Sequence, residues 1–163
     1  MENTNRQEFA RIMTGIAELF GKPMSKDLME IYWMACAEMP IQAFREAATK
    51  AAKSCEFIPK PVDFLKQALE YELTALEAWA QAVGSFSGMR SPPNSVRDKA
   101  VDMIGGWNMI GQCNYDKLPF LEKRFCEAYE TALERVPTSE RIAMAMQYAA
   151  LDAPEPALLE RHG

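Results

Sequence analysis

At 163 residues and 48% hydrophobic content, the chain can hold one domain or two small, closely packed helical subdomains, and it is too apolar to be globally disordered. Lys and Arg total 18 against 23 Asp and Glu, a formal charge of −5 spread evenly over both halves, so there is neither a basic nucleic-acid arm nor an acidic tail. Tight non-specific DNA binding by the whole surface is disfavoured, because phosphate neutralisation needs clustered cations; only a local patch stays open.

The predicted elements follow in chain order. Asn3 or Thr4 caps a first helix to about Phe20, with Phe9, Ile12, Met13, Ile16, Leu19 and Phe20 on one stripe. Gly21 and Pro23 stop it. Ser25 caps a second helix, with Asp27 favouring the N-terminal dipole. Its predicted core face is Leu28, Ile31, Tyr32, Ala35 and Cys36, flanked by Trp33. Pro40 enters a third helix lined by Ile41, Phe44, Ala47, Ala48 and Ala51, whose alanines permit close helix approach.

The stretch Ser54–Leu69, SCEFIPKPVDFLKQAL, makes a corner: Pro59 and Pro61 fix two φ angles near −65° and remove two backbone donors. From Pro61 or Val62 one long fourth helix is predicted as far as Val83, because EYELTALEAWAQAV is rich in helix formers and free of Gly and Pro. Roughly 22 residues at about 1.5 Å each give it a length of ~33 Å, enough to bridge two packing units. Residues 84–95, GSFSGMRSPPNS, have the clearest loop composition and read as a mobile connector or subdomain boundary.

Asn94 or Ser95 then caps a short helix through Ile104, which Gly105 and Gly106 break. Trp107, Met109 and Ile110 form a further short turn of helix. Asp116 and Pro119 start LPFLEKRFCEAYETALERV, with Leu118, Leu121, Phe125, Ala128, Tyr129 and Leu133 on its buried stripe and Pro137 as its stop. Thr138 or Ser139 caps a last helix, and the tail PEPALLERHG is expected to be loosely ordered. No strand or internal repeat is evident. The expected fold is an all-α bundle of about seven helices: a helical unit over 1–84 that includes the long fourth helix, a loop over 85–94, and a second helical unit over 95–163.

Reactive constellations are missing. The one histidine, His162, lies in the tail, which removes His-based triads, His metal ligands and Cys–His nucleophiles. There is no GxxxxGK[ST] phosphate loop, and Gly105-Gly106 lacks dinucleotide-fingerprint spacing. Glu127, Glu130 and Glu134 share a helix face, but the Glu-x-x-His of a di-metal bundle is absent, so a solvated face is the better reading. No catalytic residue, metal or cofactor is expected, and the chain does not read as an enzyme. Cys36, Cys55, Cys113 and Cys126 form no CxxC pair and read as free thiols of a reduced cytoplasm. The N-terminus lacks a signal h-region and no apolar run reaches ~20 residues, so a soluble cytoplasmic protein without a membrane partner is expected.

Two features point to binding. Lys50, Lys53, Lys60 and Lys66 surround Phe57; such a patch could hold single-stranded nucleic acid, although Glu56 and Asp63 dilute it to an ordinary surface. The chain also has 11 Met, among them Met29, Met34 and Met39, and Trp33, Trp79 and Trp107, which suit a core first and an adaptable interface second. In its plain role the Ser54–Leu69 corner sets the angle between helices three and four, with Phe57 and Phe64 buried.

The N-terminal pattern EFARIMTGIAELFGKPMS, then LMEIYW, an Ala-rich helix and FIPKPVDFLKQA resembles the phage replicative-helicase loader/inhibitor family. The matching positions are Phe9, Leu19, Phe20, Leu28, Tyr32, Trp33, Phe57, Pro59 and Phe64, over residues 7–69. AWAQAVGSF, MIGGW and LPFLEKRFCEAY are similar to stretches in uncharacterised prophage proteins, whereas the family's C-terminal part is flexible and residues 95–151 here read as folded helices. The resemblance implies a non-catalytic adaptor in a bacterial host cell that binds a hexameric replicative helicase and controls its delivery in DNA replication. Its partner-binding residues would be Lys53, Phe57, Lys60, Lys66 and Trp79. The alternative is a small acidic phage inhibitor of a host defence complex that presents a DNA-like acidic face.

Overall fold

A computed structural model of the chain describes residues 1 and 3–152; the predicted tail 154–163, with His162, lies outside the described residues. Nine α-helices and no strand occur among the described residues. They are α1 (Arg6–Leu19), α2 (Lys26–Ala35), α3 (Ile41–Ser54), α4 (Pro61–Ala68), α5 (Ala75–Gly84), α6 (Ser95–Met103), α7 (Trp107–Gly111), α8 (Leu118–Arg135) and α9 (Thr138–Asp152). The all-α bundle agrees with the expectation from sequence.

Two apolar clusters form the core. In the first, a run of rings crosses α1 to α4: Trp33 meets Phe9 at 5.2 Å, Phe9 meets Phe44 at 4.6 Å, and Phe44 meets Phe64 at 5.1 Å between centroids. Ala43, Ala47, Ala48 and Ala51 of α3 are buried beside these rings, and their small side chains let α1 and α4 approach it. The second cluster joins α5, α6 and α8 through Ala78, Trp79, Ala82, Val101, Phe125 and Tyr129. Helix α9 closes both: Ile142 is fully buried in the first, and Met144 packs against the second.

The long fourth helix predicted over 61–83 is two helices. Thr74 opens α5 with a capping box, in which the Thr74 N–H donates to Glu77 Oε2 at 2.8 Å and the Glu77 N–H donates to Thr74 Oγ1 at 3.3 Å. Tertiary partners hold the break. The Tyr129 hydroxyl donates to the Leu73 carbonyl at 3.0 Å, and the Arg141 guanidinium forks onto both Glu72 oxygens at 2.6 Å. These contacts outweigh the helix propensity of EYELTAL, which is only tenths of a kcal/mol per residue. Ala78, Trp79 and Ala82, which composition groups with the N-terminal unit, therefore pack into the second cluster.

Two predicted stripes are also shifted. On α2 the buried side chains are Tyr32 and Trp33, with Cys36 just beyond the helix, while Leu28, Ile31 and Ala35 are exposed. Helix α2 is apolar on nearly every side, so periodicity does not select its inner face. The edge of Trp33 on Phe9 and the Tyr32 hydroxyl, which donates to the Pro59 carbonyl at 3.1 Å, select it instead. On α1, Leu19 is 63% exposed although it continues the stripe of Phe9, Met13 and Ile16.

The Gly/Ser/Pro segment before α6 is fastened. Gly88 takes a left-handed turn (φ +82°). Asn94, buried, caps α6 by accepting from the Arg97 N–H at 2.8 Å. The buried Arg97 reaches back and donates to Ser91 Oγ at 2.7 Å and to the Pro92 carbonyl at 3.3 Å.

Candidate functional site

The site is the corner between α3 and α4. Helix α3 ends at Ser54 because the chain turns extended at Cys55. Pro61 supplies the first residue of α4, where its missing N–H costs nothing. Asp63 then fixes the entry: its carboxylate accepts from the Lys60 N–H at 2.8 Å, and its own N–H donates to the Lys60 carbonyl at 2.9 Å. Pro59 is fully buried, and its carbonyl is held by Tyr32. Burial, followed by the nearby Cys36 and Asp63, pushes the Tyr32 hydroxyl above its ordinary pKa, so it stays a neutral donor at physiological pH.

On this rigid turn Phe57 is 76% exposed. That corrects the plain reading, in which Phe57 and Phe64 are both buried: only Phe64 is inside, against Phe44. The reason is geometric. Pro59 fills the space beneath the turn and Ile58 is half-buried beside it, while Glu56 and Phe57 stand outward.

Lys53, on the last turn of α3, and Lys60, preceding α4, flank the corner and are both exposed. Lys66 is exposed too, but it sits on the last turn of α4, roughly 9 Å along the helix axis from Lys60. None of these three lysines has an ion-pair partner among the described residues. Lys50 does: it is held by Glu70 and lies 4.9 Å from the Tyr71 ring centroid.

Trp79 does not belong to this surface. It is 6% exposed in the second cluster, 5.3 Å from the Phe125 ring, and cannot meet a partner without unfolding α5. On the outward face of α2, Ile31, which sequence reasoning placed in the core, is more than half exposed beside Met34, one of the methionines it offered to an interface. The signal was present: α2 carries more apolar residues than one buried face accommodates.

A cavity of about 510 Å³ at the α4–α5 break is lined by Glu70, Glu72 and Glu77 among others. Each carboxylate is engaged within the chain, by Lys50, Arg141 and Thr74 respectively. Hydrogen bonds from the Thr74 N–H and hydroxyl hold Glu77 below its ordinary pKa. No group of three His, Cys, Asp or Glu side chains among the described residues is arranged to hold a metal ion, and no described helix is long and apolar enough to cross a membrane. In comparisons with known proteins the chain matches no family model, no curated protein and no solved structure.

Proposed function

We propose that this chain is a non-catalytic adaptor that grips another protein through the α3–α4 corner. The resemblance of residues 7–69 makes that protein a replicative helicase whose loading during phage DNA replication the adaptor controls. The observation that carries the reading is Phe57: a phenyl ring 76% exposed on a turn fixed by buried Pro59, near Lys53 and Lys60, which have no ion-pair partner among the described residues. A rigid exposed aromatic loses little conformational entropy on binding and buries a large apolar area, which is what an interface anchor needs. The lysines would steer and orient an acidic surface. Such an adaptor holds the helicase ring until an origin-bound protein or DNA competes it away, and it needs no ATPase site of its own.

The defence-inhibitor reading would rest on α8, where Glu127, Glu130 and Glu134 are exposed and in no ion pair among the described residues; three carboxylates on one helix and a net charge of −5 make a short imitation of DNA phosphates. Size-exclusion chromatography of the chain with its phage or host helicase tests the adaptor reading. Co-elution and altered unwinding are expected; separate elution with unchanged unwinding would overturn it.

A further inference from the structure

A groove of about 360 Å³ runs between α1 and α3. Ile12 and Ile16 line it from one side and Ala48 from the other, and the exposed Leu19 stands on the last turn of α1. Its only charged lining residues are Arg45 and Lys53, with no carboxylate. Arg45 is engaged by Glu8 and Gln42. Lys53 has no ion-pair partner among the described residues, and on the last turn of α3 it stands at the end of the groove nearest in sequence to the Phe57 corner.

Gly15 sits in the interior of α1, on the wall of this groove. A Cβ there would meet no atom within 4 Å, and the backbone is not left-handed. Glycine at such a position lowers helix stability by about 0.5–1 kcal/mol relative to alanine. Neither crowding nor backbone conformation inside the chain accounts for it. A second backbone approaching from outside would.

We propose that the α1–α3 groove takes an amphipathic helix of the bound partner, its apolar stripe seated over Gly15 and an acidic side chain meeting Lys53. The proposal rests on the adaptor reading and names the part of the partner that docks. The groove's lining runs over residues 12–19 of α1 and 45–53 of α3, about 11–12 Å of helix axis, which matches two turns of a partner helix read through anchors at i, i+3 or i+4, and i+7.

The test uses the purified replicative helicase as probe, with Gly15→Ala, Gly15→Leu, Lys53→Glu and Lys53→Arg in the full chain. Both Gly15 variants should match or exceed the wild-type thermal midpoint, since alanine and leucine favour helix and point into open space. Gly15→Leu and Lys53→Glu should each weaken helicase binding about tenfold or more, while Lys53→Arg binds as wild type does. Wild-type affinity in Gly15→Leu would overturn the groove whatever Lys53→Glu does, because Lys53 also serves the Phe57 corner, and it would leave the adaptor reading intact. No binding by the wild type would sink the adaptor reading and the groove with it. A concentration-dependent dimer of the chain alone, abolished by Gly15→Leu, would assign the groove to a second copy and overturn the proposal.

Discussion

Replacing Arg97 by alanine is expected to release the 85–94 segment from the bundle. The residue is 6% exposed. Its guanidinium donates to Ser91 at 2.7 Å, to Asp98 at 3.0 Å, and to Gln81 and the Pro92 carbonyl at 3.3 Å, and it lies 5.8 Å from the Trp107 ring centroid. Hydrogen bonds to charged groups contribute about 1.5–3 kcal/mol each when well formed. Asp98 is 47% exposed and rehydrates when its partner leaves, so the cost stays below the ~5 kcal/mol upper end for an orphaned buried charge. The balance is a loss of about 2–4 kcal/mol, or roughly 10 °C in thermal midpoint for a chain of this size. Arg97→Lys keeps the charge but lacks the fork and should lose about half as much. Urea unfolding measures the energy, and trypsin cleavage after the exposed Arg90 reports the local release. A loss under about 1 kcal/mol with unchanged cleavage would refute the view that Arg97 fastens this segment.

Three further outcomes are expected. Phe64→Ala should cost about 3–5 kcal/mol by opening the first core, while Phe57→Ala should stay within about 0.5 kcal/mol of wild type in the same denaturation assay. Thr74→Ala should cost about 1 kcal/mol through the lost cap; because Glu77 is held below its ordinary pKa, the stabilisation is present above the ordinary glutamate range and fades as pH falls through the lowered value, so variant and wild type should converge in acid-titrated unfolding. Burial pushes the Cys36 thiol up to about 11, so at pH 8 a thiol reagent should label the native chain at Cys55 and Cys113 well before Cys36, and all four cysteines only after unfolding.

Caps and stops were legible in the sequence because their chemistry is local. Ser25 accepts from the Leu28 N–H at 3.2 Å, Asn94 caps α6, and Gly105 and Gly106 end that helix with left-handed turns (φ +114° and +86°). Faces were legible only where one side of a helix is apolar. Helix α3 reads correctly through Phe44, Ala47, Ala48 and Ala51, whereas α2, apolar nearly all round, does not. The break between α4 and α5 was hidden because the groups that hold it, Tyr129 and Arg141, come from more than 50 residues away in sequence. For the site, Lys53, Phe57, Lys60 and Lys66 reached the surface, while Trp79 was claimed by a core that only the fold reveals. The α1–α3 groove left one local trace, a glycine inside an otherwise regular helix.

The adaptor account stands or falls most directly on the affinity of Phe57→Ala for the replicative helicase, measured by calorimetry beside the variant's own unfolding curve. The account predicts a loss of about tenfold or more in affinity with an unchanged unfolding midpoint, because the ring is exposed in the free chain and buried only in the complex. Wild-type affinity in a folded Phe57→Ala chain would contradict it.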